Sequence, residues 1–220
     1  MLYTGNKYVD SKAMFMQVRN EYIKSKGLKP NLIFFGDSIT EGFSPLNYGL
    51  VTDGILNCGI GGERLDTAMA RVDRDVLQFR PDAVHIMLGI NDLLHYPQIQ
   101  KHHIENKIEQ LLNLYIDIID VVLTVDCIIY IGSVIKLAEI PYDEQNHEFT
   151  NYMYYNEIIE RLNTKLEDYC KLHSIQFIDY NCKLTNKYNQ LNVSYTTDGI
   201  HLNEKGYFEM FKAMKSAGVL

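Results

Sequence analysis

What most limits the folds open to this 220-residue chain is an alternation of short, compact apolar runs with longer segments whose apolar residues recur every three or four positions. Apolar runs of this length, bounded by glycine or turn residues, read as buried strands. Five fit that description: NLIFFG at 31–36, ILNCGI at 55–60, AVHIMLG at 83–89, CIIYIGSV at 127–134 and IQFIDY at 175–180. Helical patterns occupy 10–26, 63–79, 102–122, 152–172 and 203–216. In the first, Met14, Phe15, Val18, Tyr22 and Ile23 form the stripe expected to face the core; in the second the stripe is Leu65, Met69, Val72, Val76 and Phe79. Strands joined through helices need crossover connections, and these produce a parallel sheet covered on both faces. The expected fold is therefore α/β, a three-layer α/β/α sandwich around a five-stranded parallel sheet. No repeat and no Pro-rich or Gly/Ser linker interrupts the pattern, so residues 1–220 read as a single domain.

In sheets of this kind the reactive groups gather beyond the carboxyl ends of the strands. The first strand ends in Gly36-Asp37-Ser38-Ile39-Thr40, which puts a hydroxyl where the chain leaves the sheet. Ser38 there is either a helix N-cap or a nucleophile. The second strand runs into Cys58-Gly59-Ile60-Gly61-Gly62, whose glycines permit close backbone approach, with the Gly62 N–H offered at a helix start. A phosphate-binding loop would also use glycines, but no P-loop lysine is present after them and the spacing is not that of a dinucleotide site. The third strand ends in Gly89-Ile90-Asn91-Asp92; the Asn91 amide suits a developing oxyanion, or else an Asx-turn with Asp92 capping the next segment. Before the last helix stands Asp198-Gly199-Ile200-His201. A carboxylate three residues from an imidazole can hold its Nδ1–H and leave Nε2 to take a proton, although an isolated pattern of this kind is often only a turn. Together these residues make a nucleophile, a base, an orienting acid and oxyanion donors, the parts that acyl transfer needs.

Taken with its motifs, the chain resembles the SGNH hydrolases, the GDSL-type esterases and lipases. Ser38 in GDSIT matches the family's nucleophile block, Gly62 in NCGIGG the second, Asn91 in LGIND the third, and Asp198 with His201 the final DxxH. The resemblance implies a flavodoxin-like sandwich and a catalytic triad of Ser38, His201 and Asp198. It also implies an oxyanion hole made of the Ser38 and Gly62 backbone N–H groups and the Asn91 side chain. Asp37 is expected to be structural, bonding nearby backbone N–H groups. The flanks of Ser38 do not form the GxSxG elbow of the α/β-hydrolases.

The remaining features bound the partners. The net charge of −7 and the lack of a long basic run exclude a nucleic-acid footprint. The polar, charge-broken start, MLYTGNKYVDSKAMFMQVRNEY, contains neither a signal-peptide core nor a membrane span. A cytoplasmic location is expected unless a leader has been removed. Cys58, Cys127, Cys170 and Cys182 form no CxxC pair and read as free thiols. His95, His102 and His103 invite a metal reading, but neighbouring positions on a helix point to different faces, and a polar helix start accounts for them better. No cofactor is expected. The segment 137–155 and the aromatic stretch from Tyr188 to Tyr195 are candidate walls of the cleft, or plain surface connections. The expected substrate is a small-molecule or carbohydrate ester with a short acyl group, acetyl above all. Lysophospholipase- or thioesterase-like hydrolysis, acyl transfer to a sugar hydroxyl, and a non-catalytic glycan-binding role are the alternatives. A homo-oligomer is compatible with all of them.

Overall fold

The computed structural model describes residues 7–44, 54–94, 103–139 and 152–220. Five strands, β1 (Leu32–Gly36), β2 (Ile55–Gly59), β3 (Ala83–Met87), β4 (Ile128–Gly132) and β5 (Gln176–Ile178), pair in parallel in the order β2-β1-β3-β4-β5. The α-helices of the described residues are α1 (Lys7–Ser25), α2 (Ser38–Gly42), α3 (Leu65–Met69), α4 (Val72–Asp75), α5 (Ile90–Leu94), α6 (Ile104–Val122), α7 (Tyr152–Leu172), α8 (Asn181–Leu184) and α9 (Glu204–Ser216).

Strand period sorts the side chains into two cores. Ile33 and Phe35 of β1 join Val84, Ile86, Ile129 and Ile131 against the apolar faces of α3, α4, α6 and α7. Leu32 and Phe34 point the other way, toward Leu184 of α8 and Met210 and Met214 of α9. All five positions of β1 are buried, as a central strand covered on both faces requires. The expected three-layer sandwich is therefore present, with strand boundaries one or two residues tighter at several ends. The strand order is that of flavodoxin-like sheets, and its switch point lies between β1 and β3, where crossovers leave in opposite directions. That crevice is where Ser38 and Asn91 emerge.

Two helical expectations need correction. The single helix at 63–79 is broken into α3, α4 and a 3₁₀ turn at Leu77–Phe79. Its stripe is right, since Leu65, Val72, Val76 and Phe79 are buried. Its continuity is not, because Arg71 leaves helical geometry (φ −118°, ψ 2°) and sends its guanidinium beneath the sheet edge. The second correction concerns α1. Met14, Phe15, Val18 and Tyr22 are more than half exposed, and the buried face is Val9, Met16 and Asn20. Polar contacts choose that face: the Asn20 amide donates to Asp75 Oδ1 at 2.7 Å, and Arg19 donates to the Asn57 carbonyl at 2.7 Å.

All four cysteines are free; Cys58 and Cys170 are buried, while Cys182 is exposed. Among the described residues, no helix is long and apolar enough to cross a membrane.

Candidate active site

Gly36 ends β1 because nothing larger fits: a Cβ there would run into the Thr40 side chain and the Met87 carbonyl. The chain can then turn into α2 directly at the sheet edge. Asp37 is the N-cap, with extended backbone (φ −95°, ψ −151°) and Oδ1 accepting the Ile39 N–H at 3.0 Å. The cap is therefore Asp37 and not Ser38. Ser38 is the first residue of the helix, and its hydroxyl is not needed to satisfy the helix start. Burial pushes the Asp37 carboxyl up to about 7, even though the Ile39 hydrogen bond works in the opposite direction.

The Ser38 Oγ lies 2.9 Å from His201 Nε2, and His201 Nδ1 lies 2.6 Å from Asp198 Oδ2. The other oxygen of Asp198 accepts the backbone N–H groups of Ile200 at 3.0 Å and His201 at 2.8 Å. Partial burial alone would raise this carboxyl; the hydrogen bonds from the His201 ring and the two backbone groups outweigh it and hold it below its ordinary value. The loop is pinned from below. An antiparallel bridge joins Thr196 to Leu202, and the Thr196 hydroxyl donates to the His201 carbonyl at 2.7 Å and accepts the Gly199 N–H at 2.8 Å. Ala138, on the connection after β4, donates its N–H to the Gly199 carbonyl at 2.9 Å. That connection is in turn held by side-chain amides: Asn163 pairs with both backbone groups of Val134, and Asn156 with both of Leu137.

On the other side of Ser38 lies Gly61, where a Cβ would crowd Glu41 Oε2 at 3.0 Å and the Tyr8 ring at 3.1 Å and stand in ordinary contact with the Ser38 Cβ at 3.6 Å. Its N–H donates to Glu41 Oε2 at 2.7 Å, and Gly62 comes next with φ +77°, a conformation that favours glycine. Asn91, in the first turn of α5, donates from Nδ2 to the Glu63 carbonyl at 3.0 Å, so the second and third motifs meet at Glu63. Asp92 does not cap its own helix. Both of its oxygens reach the Leu65 N–H, at 3.1 and 3.3 Å, and cap α3 across the crevice. Tyr115 of α6 accepts the Leu88 N–H at 2.8 Å and donates to the Leu88 carbonyl, which fixes the end of β3 from which Asn91 departs.

The model of the GDSL-like lipase/acylhydrolase family matches residues 34–207, from inside β1 to the start of α9. The chain belongs to that family. Like other GDSL-type acylhydrolases it is an enzyme that hydrolyses esters. A candidate platelet activating factor from Streptococcus pneumonia superposes with a TM-score of 0.77 at 24% identity, over 96% of this chain and 94% of that one. A GDSL-like lipase from Bacteroides thetaiotaomicron VPI-5482 gives 0.72 at 23%, over 93% and 100%. An acetyl xylan esterase gives 0.58 at 25%, over 84% and 98%. No curated protein matches the chain by sequence.

Several residues of this GDSL-type site escape a reading of the sequence. Glu41 joins α1 to the glycine loop, accepting the Tyr8 hydroxyl at 2.9 Å and pairing with Lys12 at 2.6 Å as well as holding Gly61. Glu63, Arg71 and Asp75 are buried charges; only the i,i+4 spacing of Arg71 and Asp75 hinted at a pair. His103 precedes α6, while His95 and His102 lie outside the described residues. Among the described residues no group of three His, Cys, Asp or Glu side chains could hold a metal ion. Of the segment 137–155, residues 140–151 lie outside the described residues; at its ends Leu137 and Tyr155 are buried in the core. Tyr188 is largely exposed, and Tyr195 packs against the α9 side of the sheet.

Proposed function

We propose that this GDSL-type enzyme is a serine esterase for short-chain acyl esters, acetyl above all, carried on carbohydrate alcohols, and that residues 1–220 act as one hydrolase domain. The observation that carries the reading is the unbroken run of short hydrogen bonds from Ser38 through His201 to Asp198. In the mechanism, Asp198 keeps the proton on His201 Nδ1, so that Nε2 faces the serine as an acceptor. His201 takes the Ser38 proton as Oγ attacks the ester carbonyl. The carbonyl oxygen becomes an oxyanion and is met by the Ser38 and Gly62 N–H groups and the Asn91 amide. His201 then protonates the departing alcohol, leaving the acyl group on Ser38. A water molecule, deprotonated by His201, then attacks the acyl carbon to form a second tetrahedral intermediate; its collapse breaks the bond to Ser38 Oγ, which takes the proton back from His201 as the acid is released.

Two observations support a bulky alcohol and a small acyl group. The His201 and Asp198 side chains are 44% and 49% exposed, so the approach from the histidine side is open to a large polar alcohol. The similarity to an acetyl xylan esterase points to the same class. The test is a series of p-nitrophenyl esters of increasing chain length, run beside acetylated xylooligosaccharides, on the wild type and on Ser38→Ala. The expected result is fastest turnover of acetyl esters, with a loss of about 10⁴-fold or more in Ser38→Ala at an unchanged melting temperature. Retained activity in that variant would overturn the role of Ser38, and a maximum at long chains would overturn the acetyl preference. Product analysis with an added sugar acceptor separates hydrolysis from acyl transfer.

A further inference from the structure

Beneath the crevice lies a buried ion cluster that the acyl-transfer steps leave unused, and Arg71 is at its centre. The guanidinium is 5% exposed and each of its three nitrogens has an acceptor. Nε donates to Glu63 Oε2 at 2.6 Å, and one Nη reaches the Cys58 carbonyl and Asp75 Oδ2, both at 2.8 Å. The other Nη reaches the Gly36 carbonyl at 3.2 Å and Glu63 Oε2. Its Cζ lies 4.2 Å from the centre of the Phe35 ring. Arg74 completes the charge balance by pairing with Asp75 at 2.6 Å, so two cations stand against two carboxylates.

The acceptors matter more than their number. Gly36 is two residues before Ser38, Cys58 immediately precedes the glycine loop, and Glu63 is the residue after Gly62. The carbonyl of Glu63 holds the Asn91 amide. One rigid, planar fork therefore touches the chain beside two of the three groups assigned above to the oxyanion, Ser38 and Gly62, and reaches the third, Asn91, through Glu63. We propose that Arg71 is a positioning residue for the oxyanion hole: it fixes the distance between the Ser38, Gly62 and Asn91 donors through Gly36 and Glu63. Lysine could not replace it, because an ammonium is a point donor without the fork geometry that spans carbonyls from two strands and a carboxylate. Its burial in mid-segment also explains why the helix expected at 63–79 breaks at this residue.

The inference rests on the oxyanion-hole reading, and two sets of variants separate the two claims. Arg71→Lys weakens the fork; Glu63→Gln keeps the shape of the side chain, preserves the backbone carbonyl and removes one arm's charge, and serves where Arg71→Lys does not fold. Each is assayed on p-nitrophenyl acetate with active sites counted by a phosphonate titrant, and each is titrated with an alkylboronic acid as a tetrahedral analogue. The expected result is a fall of about 10- to 100-fold in kcat per titrated site, with KM within about twofold. Boronate affinity should weaken by the same factor. A merely structural arginine would reduce the number of titratable sites or the melting temperature and leave kcat per site unchanged, and that result overturns the proposal. If Ser38→Ala and Asn91→Ala lose activity while Arg71→Lys keeps wild-type kcat, only the role of Arg71 falls. If Asn91→Ala is fully active, the oxyanion-hole reading itself falls.

Discussion

A carboxyl group taken out of water holds its proton to a higher pH, and two such groups underlie this site. Burial raises Asp92 from 3.8 to about 7 against the opposing Leu65 hydrogen bond, and Asp37 is raised to a similar value. For each, the folded state keeps a proton that the unfolded chain releases near its ordinary value. The associated stability is complete below about pH 4 and disappears as pH rises through about 7. Asp92→Asn keeps an oxygen for the Leu65 N–H but has no proton to lose. Urea unfolding at pH 5 and pH 8 should show the wild type losing stability across that interval, with the loss smaller by roughly 2 kcal/mol in Asp92→Asn. An identical pH dependence in the two proteins would show that Asp92 is ionised throughout. The same residue shows the limit of local reasoning. A short acidic residue after asparagine suggests a cap for its own helix, yet its partner is Leu65, on a separate helix across the crevice.

Among the elements, α1 is the clearest case of a pattern that misleads. Its apolar stripe is genuine in the sequence, but Phe15 and Val18 are 62% and 68% exposed. The helix docks instead through Asn20, which bonds Asp75 and the Arg74 carbonyl, so a polar face is buried against an ion cluster. Periodicity cannot reveal this, because a buried face held by polar partners reads as a solvent face. Asn20→Ala should cost about 1–3 kcal/mol, since it removes a buried hydrogen bond to the Asp75 carboxylate and leaves Arg74 Nε as the remaining donor to that oxygen. Phe15→Ser should shift stability by no more than about 0.5 kcal/mol. Urea midpoints of the two variants check the orientation of α1, and the opposite ranking would contradict it. Where helices bury apolar stripes against the sheet, as α6 does with Ile108, Leu111, Tyr115 and Ile118, the pattern and the structure agree.

For the whole molecule, the arrangement of strands makes four separated motifs into one site. The order β2-β1-β3 puts the ends of three strands side by side, and the loop before α9 closes over them from the opposite core. The strands and the motif residues were legible because strand cores are continuous apolar runs and because the motifs lie at their ends. The supports were not: Glu63, Arg71 and the amides of Asn156 and Asn163 are ordinary polar residues until the fold buries them, and Glu41 until the fold half-buries it against the glycine loop. The short distances at Ser38 make a direct demand on reactivity. Incubation with a fluorophosphonate and then peptide mass spectrometry should find one adduct, on the Ser38 peptide, and labelling should fall sharply in His201→Ala. An adduct on a different residue, or equal labelling of Ser38 without His201, would contradict the assignment of Ser38 as a nucleophile activated by His201.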